Sequence, residues 1–233
     1  MSQPIYISAK HPTVWLLLFA VLLSIICAAQ WSNLDLRIED YYYDAAHQTF
    51  YWKNAWFAKV LMHEYVKTFL SLIGGGVVLI VVIDGLRPLP VIDTARRLRL
   101  RFVASSVMLI PSTISLLKQS SPLHCPWDIV RYGGENPYVR LMDMASIHQS
   151  PGHCFPAGHA SSGLWLAAFC VFWLPHAPQK ALFVFMSGLS VGVVLGWVQQ
   201  MRGAHFLTHT LVSAWIATFI ILILLSVFKE IQV

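Results

Sequence analysis

Five basic side chains carry most of the chemistry available to this sequence: Lys118, His159, Arg202, His205 and His209. Lysine and arginine supply fixed positive charge for an anion, and histidine serves as nucleophile or as acid and base near neutral pH. Two cations with two or three histidines and few acids suit phosphoryl transfer without a metal. In such a site the cations hold the equatorial oxygens, one histidine attacks phosphorus, and another protonates the leaving oxygen. The run RGAHFLTH is informative in its spacing. Positions 202, 205 and 209 are three and four residues apart, so a helix would put all three on one face. His209 would then orient His205 or share its proton.

These residues are far apart in the chain, and the elements that would gather them can be read from composition. The 233 residues are 57% hydrophobic and 12% charged, against about 25% charge in an ordinary soluble domain. Mean hydropathy is +0.61. The expected fold is all-α, a single polytopic membrane domain over residues 1–233. A span needs roughly 20 mostly apolar residues. Six segments meet or approach that length: about 14–31, 68–86, 102–117, 160–175, 181–198 and 207–228. The first reads as a retained helix, because Ala28-Ala29-Gln30 imitates a cleavage site only weakly and further spans follow.

Orientation follows from the Lys/Arg bias of short loops. RPLPVIDTARRLRLR carries Arg87, Arg96, Arg97, Arg99 and Arg101 against Asp93 alone, which predicts a cytoplasmic loop. Six spans then put both termini in the cytoplasm, together with Lys10, Lys180 and Lys229. The formal charge of +5 is largely this collar. Its basic residues do not form a patch interleaved with aromatics, which argues against nucleic acid as a partner. Lys118 lies just beyond the third span, His159 at the mouth of the fourth, and Arg202, His205 and His209 at the outer end of the sixth. Three sequence-distant clusters therefore converge on the outer side, where ionisable residues near a membrane interior are functional candidates by default.

The loops and spans add smaller expectations. The first outer loop, about 32–67, contains DYYYDAAHQTFYWKNAWF, which predicts an aromatic helix lying on the interface. His63, Glu64 and Lys67 at its end read as interfacial and structural. The second outer loop, about 118–159, is long and polar, as functional loops often are. Close helix packing accounts for the glycines of LIGGGVVLIVV. Asp84 is expected to pair near Arg87, and Cys27 and Cys170 to be buried thiols.

KQSSPLHCP, PAGH and QMRGAHFLTH, in that order, resemble the three motifs of the type 2 phosphatidic acid phosphatase (PAP2) superfamily: Lys-x6-Arg-Pro, Pro-Ser-Gly-His and Ser-Arg-x5-His-x3-Asp. The resemblance covers roughly residues 100–215, and the six-helix plan agrees with it. It implies that Lys118 binds phosphate, that His159 is the general acid, and that His205 is the nucleophile that forms a phosphohistidine. Gly158 would offer its backbone N–H to the phosphate. Four departures from the pattern matter. Cys125 and Gln199 stand where the family has Arg, Ala157 where it has Ser, and His209 where it has Asp. Arg202, one helical turn from His205, is the expected substitute for one arginine, and Arg131 or Arg140 for the other. A second register makes His209 the nucleophile with Ser213 in the Asp position. Its spacing from Arg202 runs one residue long, and GAHF favours His205.

No cofactor and no metal is expected. His124-Cys125 and His153-Cys154 suggest zinc at first sight, but adjacent residues in an extended chain point to opposite sides, which makes four ligands from two dipeptides awkward. Cys125 and Cys154 are expected to form a disulfide, since both lie in an outer loop that would face an oxidising periplasm. The bond would staple the phosphate-binding motif to the acid motif, and would account for a Cys where the family has Arg. The implied activity is hydrolysis of a membrane lipid phosphate or diphosphate at the periplasmic face of a bacterial inner membrane. The alternatives are a lipid phosphotransferase, with a lipid hydroxyl in place of water, and a non-catalytic phospholipid binder or transporter.

Overall fold

Caps and breakers divide the chain into helices whose ends deliver the motif residues. The computed structural model describes residues 11–143, 151–228 and 231. α1 (Pro12–Trp31) begins at a proline, and the His11 side chain accepts from the Thr13 N–H. α2 is short (Leu34–Tyr42). α3 (Lys67–Leu86) is entered through a π-helical segment, Phe57–Val66, and the two make one apolar rod of 30 residues. α4 (Thr94–Gln119) is capped by the Asp93 carboxylate, which accepts from the Arg96 N–H at 2.8 Å. α5 (Gly158–Leu164) continues as a 3-10 helix, Trp165–Trp173. α6 (Pro178–Met201) and α7 (Leu207–Val227) complete the bundle.

Among the described residues, five helices are long and apolar enough to cross a membrane: Pro12–Trp31, Phe57–Leu86, Thr94–Gln119, Pro178–Met201 and Leu207–Val227. The expected span at 160–175 is a different object. It is the bundle's central helix, with Ala160, Leu164, Trp165, Ala167, Ala168 and Val171 all buried. Its seven α-helical and nine 3-10 residues extend roughly 28 Å at the usual rises, close to the ~30 Å hydrocarbon core. Glycines let α6 press against it. A Cβ at Gly188 would sit 2.3 Å from the Ala167 nitrogen, and one at Gly192 2.4 Å from Leu164 Cγ.

The arginine run belongs to α4 rather than to a loop. Asp84, 3% exposed, accepts from Arg97 at 2.5 and 3.1 Å and from the Leu89 N–H at 2.9 Å. Asp84 is thus paired, as expected, and its partner is Arg97, because helix formation from Thr94 turns Arg97 toward α3. Arg99 donates to the Leu174 carbonyl at the end of the central helix. These contacts mark the arginine end of the bundle. The motif end is opposite, where α4 stops and α5 and α7 start.

The aromatic stretch is not one interfacial helix. After α2 the chain folds into a small hairpin, β1 (Tyr43–Asp44) on β2 (Thr49–Phe50), with Tyr43 opposite Phe50. Asp44 causes the turn: its carboxylate accepts from the N–H groups of Ala46 and His47 at 3.0 and 3.3 Å. α2 buries acids instead of an apolar face. Asp35 and Glu39 are 6% and 0% exposed, where α2 meets α6 and α7. Phe50 joins Ile129, Tyr132 and Phe206 in a second, aromatic core at the motif end.

Candidate active site

Each motif residue owes its position to a local break in helix. Lys118 occupies the last turn of α4. Gly158 opens α5, and a Cβ there would lie 3.6 Å from Lys118 Cδ and 3.8 Å from its Nζ. The Lys118 chain therefore passes across the Gly158 backbone. His159 follows as the second residue of α5.

The QMRGAHFLTH run is interrupted. α6 ends at Met201, and the Gln199 carbonyl accepts from the N–H groups of both Arg202 and Ala204 at 3.2 and 2.9 Å. Gly203 adopts φ +76, a left-handed conformation that favours glycine. A Cβ on it would meet the Phe50 ring at 2.4 Å, so the hairpin seats directly on the turn. The expected single helical face for Arg202, His205 and His209 is therefore not formed. His205 sits in the connection, and His209 in the first turn of α7. The Asp35 carboxylate caps that turn from another helix, accepting from the Thr208 N–H at 3.1 Å and its hydroxyl at 2.5 Å. Ala157, at the motif's Ser position, donates its N–H to the His209 carbonyl at 3.1 Å, and Ser213 donates to the Ala157 carbonyl at 3.1 Å. The second and third motifs are thus sewn together through the backbone.

The result is a file of imidazoles. Ring centroids are 5.7 Å apart for His159 and His205, and 5.9 Å for His205 and His209. His205 is 1% exposed. Burial holds its pKa well below the usual histidine range, and the nearby His209, His159 and Lys118 push in the same direction. It is therefore neutral at physiological pH, which is the nucleophilic form. Its Nδ1 lies 3.5 Å from Cys154 Sγ. Cys125 and Cys154 are joined in a disulfide with Cα atoms 5.2 Å apart. The two sulfurs and a His205 nitrogen lie within 4.8 Å of one another, but metal ligation calls for thiolates, and these sulfurs are bonded to each other.

Arg202 is 7% exposed. It donates through Nη1 to Gln199 Oε1 at 2.8 Å and through Nε to the Lys53 carbonyl at 3.2 Å. Gln199, at the family's Arg position, therefore holds the arginine that stands three residues later. Arg131 and Arg140 are engaged elsewhere. Arg131 pairs with Asp40 at 2.7 and 2.9 Å. Arg140 donates to the Gln30 carbonyl, and to Asn33 Oδ1 at 2.8 Å. Both tie the second loop to α1 and α2, because those segments place acceptors beside it.

Sequence reading missed four residues here. Asp35 caps the start of α7, and Glu39 is buried beside Gln200 at the end of α6. His63 packs on His159 with ring centroids 4.3 Å apart, and Lys67 lies within electrostatic reach of both His159 and Lys118. Their signal in the sequence was faint: a His and a Lys four apart at the mouth of a span.

The fold is thus a helical, membrane-spanning bundle with Lys118, His159, His205 and His209 gathered at one end beside Arg202. The profile of the PAP2 superfamily matches residues 99–232, and the chain belongs to that superfamily. Membership supports a phosphatase-type function. No curated protein and no solved structure matches the chain.

Proposed function

We propose that the protein hydrolyses a lipid phosphate or diphosphate through a phosphohistidine on His205. The observation that carries this is the neutral, buried His205 ring set between His159 and the disulfide. With Nδ1 against Cys154, Nε2 is the attacking nitrogen. Lys118, Arg202 and the Gly158 N–H hold the phosphoryl oxygens. An N–P bond forms as the P–O bond to the lipid breaks, and His159, neutral at rest and protonated once the phosphate dianion offsets the surrounding cations, delivers its proton to the departing oxygen. Water then attacks phosphorus, the N–P bond breaks, and His159 recovers a proton from that water. His209 buttresses the His205 ring.

A lipid substrate is supported by an apolar cleft of about 380 Å³ between α3 and α4, which begins at Lys67 and Gly158 and continues past Gly75, Val107 and Pro111 to Trp165. A cleft that starts at Gly158, across which Lys118 passes, and runs along two spanning helices suits a headgroup followed by a hydrocarbon chain. The arginine end would face the cytoplasm by the positive-inside rule, so the site would face the periplasm of an inner membrane.

The test is phosphate release from phosphatidic acid, phosphatidylglycerophosphate, undecaprenyl diphosphate and lipid A, with ³²P-labelled substrates and a rapid quench. Turnover with an acid-labile label on His205, lost in His205→Ala, is the expected result. Release that is unchanged in His205→Ala overturns the assignment. Label retained without free phosphate, and passed to an added lipid alcohol, would make the protein a transferase.

A further inference from the structure

His63 stands outside the family-matched stretch, in the π-helical lead of α3, a helical form frequent at functional sites. Its ring is closer to His159 than that of His205, at 4.3 Å between centroids against 5.7 Å. The Nδ1 atoms of both His63 and His159 are buried and have no hydrogen-bond partner. Lys67 lies four residues on, roughly one turn away on the same side of the rod, and lines the cleft with Gly158. The first motif lacks its arginine, because Cys125 is in the disulfide. Arg131, the nearest basic residue after it in the chain, is spent on Asp40.

We propose that His63 and Lys67 complete the phosphoryl site from the N-terminal part of the chain, Lys67 as the phosphate cation that replaces the missing first-motif arginine and His63 as the residue that positions His159. The proposal rests on the phosphatase reading above. An acid in this site must hold a proton amid positive charge. The groups facing His159 are His63 and Lys67 from the α3 rod, Lys118 from α4, and Arg202 and His205 from the connection after α6. Glu64, on the same rod, faces His63 and Arg202. Burial, with His63, Lys67, Lys118 and Arg202 around it, pushes the His159 pKa down to about 3, so the resting ring is neutral. A bound phosphate dianion offsets those charges, and His63, whose ring packs on His159 at 4.3 Å, is the group placed to accept a hydrogen bond from His159 once it is protonated. When the phosphate dianion arrives, Lys67 and Lys118 close on its oxygens from two helices.

The experiment uses the full chain in detergent, with whichever lipid phosphate of the panel it hydrolyses. His63→Ala should lower kcat about 10- to 100-fold, the lower range for a disturbed general acid, with KM little changed and the pH profile displaced. His63→Asn, which keeps an acceptor, should recover part of the rate. Lys67→Ala should raise KM about tenfold or more, as for loss of a charge-assisted hydrogen bond, and Lys67→Arg should restore it. Orthovanadate binding, read as a shift in thermal unfolding, gives a measure without turnover: Lys67→Ala should weaken it about tenfold. His63→Ala with wild-type kcat and pH profile overturns the role of His63. Equal vanadate affinity in wild type and Lys67→Ala overturns that of Lys67. A wild type inert to the whole panel removes the phosphatase reading instead, and the vanadate comparison still decides the phosphate contact. A wild type that binds no vanadate overturns both.

Discussion

Residues 99–232 and the chain before them contribute to the same end of the bundle in different ways. The later stretch matches the PAP2 superfamily and brings Lys118, His159, Arg202 and His205. The earlier stretch carries no family motif, yet it supplies the turn's support and the site's neighbours. Phe50 fills the space that Gly203 leaves, Asp35 caps α7, Lys53 accepts from Arg202, and His63 lies on His159. A family motif specifies groups that meet the reacting atoms. It says little about what fixes the backbone carrying them, and here that task falls to a region with its own sequence pattern.

The sharpest way to break the partnership is at Gly203. Gly203→Ala imposes a Cβ on a left-handed residue and drives it into Phe50 at 2.4 Å. Left-handed strain and overpacking are each worth about 1–3 kcal/mol. The variant should lose most phosphate release and unfold at clearly lower temperature, and Phe50→Ala in the same chain should recover part of both. An additive double mutant would mean that the hairpin and the turn are independent.

Loss of the disulfide should have the next strongest effect, and this bond lies within the motif-bearing stretch. Its cysteines are 29 residues apart, for which chain entropy gives roughly 3–4 kcal/mol. Cys125→Ser and Cys154→Ser should destabilise to a similar degree, with the double mutant no worse than either single. Mass mapping without reductant should show the linked peptides. Two alkylatable thiols there would remove the bond and with it the backing of His205.

Asp35→Ala removes the cap that α2 offers to α7, which should lower stability by about 1–2 kcal/mol and slow turnover through the displaced start of α7. Thermal unfolding and kcat measured together check this. A loss of stability with unchanged kcat would restrict Asp35 to the fold.

Glu39 predicts a pH effect. It is fully buried, and neither carboxylate oxygen has a hydrogen-bond partner, although Gln200 lies beside it. Burial, with the charge of Asp35 adding to it, lifts its pKa well above the ordinary glutamate value. A raised folded-state pKa stabilises fully below the unfolded-state value, and that contribution is lost as pH rises toward the folded one. Glu39→Gln should therefore unfold later than wild type at neutral pH and show a flatter pH dependence above pH ~4.5. A Glu39→Gln protein less stable than wild type throughout would mean that the carboxylate is needed charged.

The smallest effect tests Arg131. Its pair with Asp40 is half-exposed, at 51% and 41%, and such pairs contribute roughly 0–1 kcal/mol. Arg131→Ala should leave phosphate release within about fivefold, the span of such a pair's energy. A large rise in KM would return Arg131 to the phosphate site and weaken the case for Lys67.

Much of the molecule was legible in the residues themselves. Apolar runs alone mark membrane helices, because a span is a property of about 20 consecutive residues. The order of the three motifs marks the family, and two cysteines in one loop mark a bond. Asp93 before the arginine run caps α4 through a contact three residues long, a local signal that the loop reading passed over. Other features could not be read along the chain. Nothing local says that the 160–175 segment is the buried axis of the bundle, because a central helix and a lipid-facing one are equally apolar. Nothing local pairs Asp84 with Arg97 over Arg87, or turns Arg131 toward Asp40, since long side chains choose partners by which helices become neighbours. The helical face read from RGAHFLTH fails at Gly203, where a left-handed glycine ends α6 and the Gly203 and Ala204 N–H groups return to the Gln200 and Gln199 carbonyls; that stop is local, and only the Phe50 ring seated on it comes from far along the chain. His63 and His159 are 96 positions apart, and only the packing of the α3 rod against α5 makes them one site.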